Sequence, residues 1–399
     1  MAIQLDFQII SAIVFIVILT IFLIIKRKNL EIQKFIFPIL YFMLYRTKLG
    51  LKFMKKTASR HPKFWQFFSI SGIVVGFLGM IFIVVNLVVS LINMFRLPDA
   101  QSGVAPVLPI PVEGAVYVPF FYWILCIFII AIVHEMSHGI VARHYGIRIK
   151  SSGFAFLNVI LPIVPAAFVE PDENQLEKKK LHKQLGVFAA GPFSNIILGF
   201  IALAILGLVI NPLALQAVDQ KGILITNVIN GTPAYEAGLI ENDLINMSDD
   251  VKINTIQDFT SYIDTKDPGD EITLYSNRTS YTVTLGERPD SSEEAYMGIN
   301  FAQKNEIKQS FIDKYGEFAP KLMYWIYDFF YWLFLLNLGI GLFNLVPLGP
   351  VDGGRMIRAT LLKYLPPEKA SKIWKWISYI FLAIILYMVF SPWLRGLIF

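Results

Sequence analysis

Long apolar stretches, separated by polar and charged segments, dominate the pattern of this 399-residue chain. Each stretch approaches the roughly 20 consecutive apolar residues that a membrane-spanning helix requires. The pattern therefore predicts a polytopic α-helical membrane protein with about six transmembrane helices. The predicted spans are residues 7–25, 66–95, 117–142, 185–210, 322–346 and 372–390.

The composition agrees with a membrane protein, since 55% of the residues are hydrophobic and only 16% are charged. The net charge of +5 does not indicate nucleic-acid binding, because the basic residues cluster beside the apolar stretches, where they orient a chain in the bilayer. We therefore expect the lipid bilayer, and no nucleic acid, among the partners. The single cysteine, Cys126, excludes both a disulfide framework and a cysteine-rich metal site.

The charges that flank the apolar stretches predict how the chain is oriented. Basic residues follow the first span at Lys26 and Arg27, which favours an outer N-terminus. Residues 34–64 are basic and contain only a short apolar run, which predicts an interfacial helix on the cytoplasmic side. Residues 217–300 hold 15 of the 30 acidic residues and 5 of the 35 basic ones, as expected for a soluble insert on the outer side.

The insert has short β-rich runs bounded by Gly, Pro, Asn and Asp, which predict a small α+β domain. Its phrase "GTPAYEAGLIENDLINM" resembles the central part of PDZ domains of the bacterial protease type. The resemblance implies a groove that accepts an extended peptide or a C-terminal carboxylate by strand addition. Gly222 and Gly298 are the candidates for the loop that holds the carboxylate. A spacer domain with a degenerate groove is the alternative.

The segment "IIAIVHEMSHGIVARHYG", residues 129–146, places ionisable side chains inside an apolar run. Such groups are costly at membrane depth unless they are compensated. In a helix His134 and His138 lie on one face, so their imidazoles can bind one metal ion. In the His-Glu-x-x-His arrangement the intervening carboxylate, here Glu135, acts as the general base of a metalloprotease. The alternative is a pair of histidines hydrogen-bonded across helices.

A zinc site that leaves one position for water needs a third protein ligand. The segment "FNLVPLGPVDGGRM", residues 343–356, contains prolines that cannot continue a helix and glycines that permit sharp turns. Irregular backbone at membrane depth occurs only where it is buried in protein or lines a cavity. Asp352 lies in this segment and is the candidate third ligand. A loop break without chemistry is the alternative.

Taken in order, "HEMSH", "GPFSN", the insert and "NLVPLGPVDGG" resemble the site-2 protease family of intramembrane zinc metalloproteases. The resemblance implies that His134, His138 and Asp352 bind Zn²⁺ and that Glu135 is the general base. It also implies that Asn344 holds the substrate or the developing oxyanion, a task suited to a buried amide. Asn195 matches a further family position, to which we assign substrate binding; the neighbouring Gly191 and Pro192 could instead serve only close helix packing.

The resemblance predicts a metalloendopeptidase that cleaves transmembrane segments of single-pass, membrane-anchored substrates in regulated intramembrane proteolysis. The flanking charges predict an active site near the cytoplasmic side and an extracytoplasmic PDZ-like domain. The resemblance also predicts that residues 151–171 dip into the membrane as a hairpin or loop that pairs with an unfolded substrate strand. Two alternatives remain: a peptidase that trims prenylated proteins, disfavoured by the Asp-Gly-Gly loop, and a non-catalytic PDZ-bearing membrane adaptor.

The predicted organisation has four regions. They are an N-terminal membrane region (1–116), the first half of the protease core (117–215), the PDZ-like domain (216–302), and the second half of the core with the Asp-Gly-Gly loop (303–399).

Overall fold

The computed structural model describes residues 7–36, 40–96, 102–112, 114–159, 161–288 and 291–398. Within these ranges six helices are long and apolar enough to cross a membrane. They are Ile10–Asn29, Pro62–Arg96, Phe120–His144, Leu181–Ala217, Phe318–Phe343 and Pro367–Ser391. The predicted fold class, a polytopic helical protein with a small α+β domain inserted, is confirmed. The chain forms two compact units, 1–206 with 328–399, and 207–327.

Helices alternate with strands in the N-terminal half of the chain. The elements are α1 (Phe7–Lys26), β1 (Leu30–Ile36), β2 (Leu40–Thr47), α2 (Leu51–Arg60), α3 (Pro62–Arg96), β3 (Val107–Leu108), β4 (Val116–Tyr117), α4 (Phe120–His144), β5 (Ile149–Val159), β6 (Leu161–Pro171), α5 (Glu173–Glu177) and α6 (Leu181–Ile205).

A π-helical turn, Leu206–Ile210, and a short helix lead from α6 into the inserted domain. The elements that follow are α7 (Asn211–Ala217), β7 (Val218–Val228), α8 (Pro233–Glu236), β8 (Leu244–Ser248), β9 (Val251–Lys252), α9 (Ile256–Ile263), β10 (Glu271–Ser276), β11 (Ser280–Thr284), β12 (Gly286–Arg288), β13 (Ser291–Tyr296), β14 (Ile299–Ile307) and α10 (Gln309–Tyr315). The chain ends with α11 (Phe318–Phe343), α12 (Asp352–Tyr364) and α13 (Pro367–Ile398).

Four antiparallel strands form a sheet beside the helices, in the order β1-β2-β5-β6. The sheet shows that the predicted interfacial helix over 34–64 is wrong in its first part, where β1 and β2 lie; residues 37–39 are outside the described ranges. A helix begins only at Leu51. Strand formation here depends on a partner more than 100 residues away, since Tyr45 pairs with Phe154. The hairpin predicted within 151–171 is the β5–β6 pair.

A polar cluster ties the ends of these four strands together. The Arg46 guanidinium of β2 donates to Glu31 of β1 at 2.8 Å and also to Glu170 of β6. Ser151 of β5 donates to the same Glu170 carboxylate at 2.7 Å. The Ser151 hydrogen bond and the Arg46 charge lower the pKa of Glu170. This cluster fixes the register of the sheet, because a shift of one residue would separate the partners.

The unit of residues 1–206 and 328–399, here called the membrane unit, has small residues that bring its helices close together around α6. Ala189 and Ala190 of α6 are fully buried. Gly76 of α3 faces Ala189, and a Cβ atom added there would lie 3.4 Å from the alanine Cβ. Such close approach is typical of helix packing in membranes, where small side chains let backbones meet. The packing places α4, α6 and α12 next to one another.

The inserted domain is a mainly antiparallel sheet in the order β11-β10-β8-β7-β14, with β9 paired to β8. Alternate residues of β10, Ile272 and Leu274, are buried, as the two-residue period of a half-buried strand requires. They pack with Ile223, Ile225 and the α9 residue Phe259 in the core of the domain. The domain therefore has its own hydrophobic core.

We expect the inserted domain to lose stability in acid through Asp258. Its carboxylate accepts hydrogen bonds from the Asn254 and Thr255 amides, each at 2.9 Å, and these bonds lower its pKa. Because the folded-state pKa lies below the unfolded value of about 3.9, the ionised carboxylate stabilises the fold above pH 4. This contribution is lost as the pH falls through the folded-state pKa. The Asp258→Asn variant should lose about 1 kcal/mol of its free energy of unfolding at pH 7. Its free energy of unfolding should also depend less on pH in acid than that of the wild type.

Hydrogen exchange of the β10 amides in the full chain, measured between pH 6 and pH 3 and corrected for the intrinsic exchange rates, gives the stability of the inserted domain at each pH. Glu241→Gln, which changes an exposed carboxylate of the same domain, is the matched control. An acid profile that is equally steep in wild type and Asp258→Asn contradicts the prediction.

Candidate metal and catalytic site

The two histidines of the His-Glu-x-x-His motif and the distant aspartate meet in the membrane unit. His134 and His138 lie one turn apart on α4, and their Nε2 atoms are 3.1 Å apart. Oδ2 of Asp352 lies 3.1 Å from Nε2 of His134 and 3.3 Å from Nε2 of His138. All three side chains are buried, with 7 to 9% of each residue exposed. The structure thus joins residues more than 200 positions apart in one cluster.

These distances fit a metal ion bound by all three side chains. In a tetrahedral zinc site with bonds of about 2.0–2.2 Å, neighbouring ligand atoms are about 3.4 Å apart. The three observed separations are close to this value. Two imidazoles and one carboxylate are also a donor set that zinc prefers, and they leave a fourth position for water. Among the described residues this is the one group of three such side chains with potential ligand atoms within 4.8 Å of one another.

Gly191 of α6 provides the space that a metal ion needs. A Cβ atom at this position would lie 2.3 Å from Nε2 of His138 and 2.5 Å from Nε2 of His134. Zinc–nitrogen bonds are about 2.0–2.1 Å long, so a methyl group here would occupy the region where the ion binds. The small residue in "AGPFSN" therefore serves the metal site directly, in addition to helix packing.

Hydrogen bonds on the far side of each imidazole orient the ring. Nδ1 of His138 donates to the Val187 carbonyl oxygen at 2.6 Å, which leaves Nε2 as the atom free to bind metal. Nδ1 of His134 lies 3.1 Å from the Asn195 amide nitrogen, and the Asn195 oxygen has no hydrogen-bond partner among the described residues. When His134 binds metal through Nε2, its Nδ1 carries the proton and needs a hydrogen-bond acceptor. The Asn195 side-chain amide therefore presents its oxygen to His134, which a 180° rotation of that amide group achieves.

This arrangement places Asn195 behind a metal ligand. Its side chain is fully buried and contacts the His134 ring. The predicted substrate-binding role of Asn195 therefore stays a prediction, whereas its contact with His134 follows from the geometry. The spacing in the sequence carries a signal for this placement, since Gly191 and Asn195 are four residues apart and lie on one face of α6.

Two glycines allow the Asp352 loop to fold tightly. The Gly353 amide donates to the Asn344 carbonyl oxygen at 2.7 Å. A Cβ atom at Gly353 would lie 2.3 Å from the Leu345 carbonyl oxygen, and one at Gly354 would lie 2.0 Å from that of Leu348. No residue with a side chain could approach the preceding turn so closely. The two glycines thus set the start of α12, whose first residue is Asp352.

Asn344 is next to this loop, but its side chain is engaged elsewhere. Its side-chain amide nitrogen donates to the carbonyl oxygen of Ile340 in α11, the helix that ends one residue before Asn344, at 3.0 Å. The predicted contact with a substrate or oxyanion would require this side chain to rotate.

Glu135 is held by the sheet. Its Oε2 accepts a hydrogen bond of 2.8 Å from the Val169 amide of β6. Because β6 pairs with β5 on one side only within the described sheet, this amide lies on the edge of β6 that no described strand occupies, here called its free edge, where Glu135 of α4 meets it. Val169 was not among the residues indicated by the sequence, and a backbone amide leaves no signal there.

The two glycines predicted for the PDZ-like groove lie at different places. Gly298, with φ of 81°, precedes β14 and lines a cavity of about 440 Å³ beside α9. Gly222 lies within β7, where a Cβ atom would be 2.2 Å from the Ile245 carbonyl oxygen, and it is not part of that cavity.

A glutamate beside a His-His-Asp cluster that could hold a metal ion, in a chain with six described helices of membrane-spanning length, is the arrangement expected of a membrane metallopeptidase. The sequence model of peptidase family M50 matches residues 122–386, and the chain belongs to this family. The match covers the metal cluster, Glu135 and the inserted domain. The resemblance to site-2 proteases is confirmed.

Individual proteins are similar to parts of this chain. An uncharacterized protein of Methanocaldococcus jannaschii is 29% identical over 314 residues, which are 78% of this chain and 75% of that protein. The zinc metalloprotease RasP of Oceanobacillus iheyensis is 25% identical over 249 residues, 50% of this chain and 57% of its own length. The PDZ domain of an SdrC-like protein from Listeria monocytogenes aligns with 21% of this chain and 88% of its own, at 22% identity and a TM-score of 0.19.

Proposed function

We propose that this zinc metalloprotease hydrolyses peptide bonds within the transmembrane segments of single-pass, membrane-anchored proteins, in regulated intramembrane proteolysis. The observation that carries the proposal is the buried cluster of His134, His138 and Asp352, with Glu135 beside it on a helix of membrane-spanning length. Ionisable side chains at such depth are retained where they perform a function.

The chain's own residues divide the chemistry between them. Zinc held by the three ligands would polarise the scissile carbonyl and acidify water. Glu135 accepts the proton of the attacking water and then delivers it to the departing amine. The Val169 amide holds the Glu135 carboxylate in place through the hydrogen bond to Oε2. Asn344, once rotated from Ile340, would donate to the developing oxyanion.

The free edge of β6 supports the proposal that the substrate binds in an extended conformation. A transmembrane helix hides its carbonyls in intrahelical hydrogen bonds, so the segment to be cleaved must unwind before it can react. An unwound segment can then form backbone hydrogen bonds with an exposed strand edge. Since the Val169 amide at this edge contacts Glu135, a strand added along β6 would bring its peptide bonds close to the general base.

The inserted domain is the part that we propose to select substrates. The cavity of about 440 Å³ beside α9 and Gly298 falls within the size range of ligand sites in proteins. Its wall carries Lys266 and Arg288 together with the carboxylates of Asp264, Asp267 and Glu294, and Arg288 is paired with Glu294. The proposal therefore depends on the size of the cavity and on the PDZ resemblance, and not on a net positive charge. From the charge distribution we propose that this domain is extracytoplasmic and that the metal site lies near the cytoplasmic side.

Metal removal tests the proposed activity. In proteoliposomes that contain a single-pass peptide, a chelator should reduce cleavage by roughly 100-fold or more, because polarisation of the carbonyl is lost. One equivalent of Zn²⁺ should restore cleavage, whereas Mg²⁺, which prefers oxygen ligands, should not. Mass spectrometry of the products should place the cleaved bond inside the apolar segment.

Two outcomes would contradict the proposal. Cleavage that lies only in the soluble flanks of the peptide would indicate a different substrate class. A purified protein that contains no zinc and cleaves none of the peptides, but binds peptides through the inserted domain, would favour the membrane adaptor.

A further inference from the structure

An apolar cavity of about 150 Å³ lies against Glu135 in the membrane unit. Helix α4 contributes Ile132, Glu135 and Met136 to its wall, and α2 contributes Met54. The remaining wall comes from the sheet and the turn before α2. The sheet residues among them include Thr47, Ser152, Phe168 and Val169. The cavity therefore lies between the catalytic helix and the hairpin with the free strand edge.

Among the described residues of this wall, Glu135 has the one charged side chain. The other polar side chains are Thr47 and Ser152, and both already donate to the backbone. Thr47 donates to the Ser152 carbonyl oxygen at 3.1 Å, and Ser152 donates to the Leu49 carbonyl oxygen at 2.5 Å. A ligand in the cavity thus meets apolar surface on all sides except at the general base.

The position of the cavity identifies what fills it. A strand added along the free edge of β6 would pass Val169, whose amide contacts Glu135. Successive side chains of a strand point to opposite faces, so a residue next to the bond that Glu135 serves would direct its side chain into the cavity. An apolar cavity of about 150 Å³ holds a molecule the size of benzene, which matches a large aliphatic or aromatic side chain.

We propose that this cavity is a specificity pocket for the substrate residue that flanks the scissile bond, and that it selects leucine, methionine or phenylalanine over alanine and glycine. The inference rests on the proposed proteolytic function and adds the class of side chain at the cleaved bond. Ile132 and Met136 are the residues that set the size of the pocket, since they lie one helical turn apart and flank Glu135.

A series of substrates for the wild-type enzyme tests the pocket first. Single-pass peptides in proteoliposomes carry glycine, alanine, leucine, phenylalanine or tryptophan at the position next to the mapped cleavage site. We expect kcat/KM for leucine or phenylalanine to exceed that for alanine by roughly tenfold or more, as filling an apolar pocket typically gives. Equal rates across the series, or a preference for glycine and alanine, would overturn the proposal.

Enlarging the pocket tests its walls. Ile132→Ala should raise kcat/KM for the tryptophan peptide relative to the leucine peptide by roughly tenfold. Met136→Ala should shift the preference in the same direction and serves if Ile132→Ala does not fold. Ile127→Ala, on the same helix but outside the cavity wall, is the matched control and should keep the wild-type order.

The outcomes separate the two proposals. If no peptide is cleaved in a zinc-dependent manner by wild type, the proposed function fails. If cleavage occurs but neither cavity variant changes the order of substrates, the cavity holds something else, such as a lipid chain, and the pocket assignment fails.

Discussion

The Glu135→Gln variant is expected to lose proteolysis by about 10²- to 10⁴-fold, the range for removing a general acid–base group, while keeping its zinc. Glutamine has the same shape as glutamate but cannot accept a proton from water at neutral pH. Glu135 is not one of the three clustered metal ligands, so the metal site should be unchanged. The glutamine oxygen can still accept the Val169 amide hydrogen bond, which preserves the local structure.

Initial rates of peptide cleavage and zinc content per protein molecule, measured on the same preparations, check both parts of this expectation. Glu177→Gln is the matched control, because it changes an exposed glutamate on α5 in the same unit. Cleavage at the wild-type rate by Glu135→Gln would remove the general base from the mechanism. Loss of zinc would show instead that Glu135 helps to hold the ion.

The part of the site that was predictable from the sequence is the part encoded locally. The spacing of four residues from His134 to His138 on an apolar helix places both side chains on one face, whatever surrounds them. The prolines and glycines around Asp352 likewise indicate a break in a helix from local chemistry alone. The two segments meet through tertiary packing, which places Oδ2 of Asp352 3.1 Å from His134. For this contact between distant segments the sequence offered a family resemblance.

The strands of the N-terminal half show where local reasoning fails. The run "FIFPILYFMLY" is too short to span a bilayer, which left an interfacial helix as the expected alternative. The described residues of this run, 35–36 and 40–45, lie in β1 and β2 instead, and a partner strand more than 100 residues away completes the hydrogen bonds of β2. Strand propensity depends on such partners much more than helix propensity does. A pairing between residues so distant in the chain has no local signal.

The segment "AGPFSN" shows a different limit, since the sequence singled out its residues but not their contacts. The substrate-binding role assigned to Asn195 stays a prediction, and the structure adds that this residue lies fully buried beside the His134 ring. Gly191 was weighed as a packing residue, yet it faces the Nε2 atoms of both histidines. Helical spacing places the two on one face of α6, but only the packing of α6 against α4 shows that this face meets the metal ligands.

Gly191→Ala is therefore expected to abolish zinc binding. The added methyl group would lie 2.3 Å from Nε2 of His138 and 2.5 Å from Nε2 of His134, close to where the ion must be. Contacts this short force either the methyl group or the imidazoles to move, and α6 is too tightly packed to retreat, with Ala189 and Ala190 fully buried. We expect a loss of zinc affinity of about 100-fold or more, since disturbing even the hydrogen bonds behind metal ligands costs 10- to 100-fold.

Zinc bound to the purified protein, titrated against a chelator of known affinity, measures this loss without reference to proteolysis. Gly339→Ala is the matched control: this glycine also lies within a helix, but a Cβ atom there would meet nothing within 4 Å. An alanine at 339 should leave zinc affinity unchanged, and it also reveals any general effect of the substitution on membrane insertion. If Gly191→Ala binds zinc as tightly as wild type, the ion does not lie between the two imidazoles and α6, and the ligand set of His134, His138 and Asp352 must be abandoned with it.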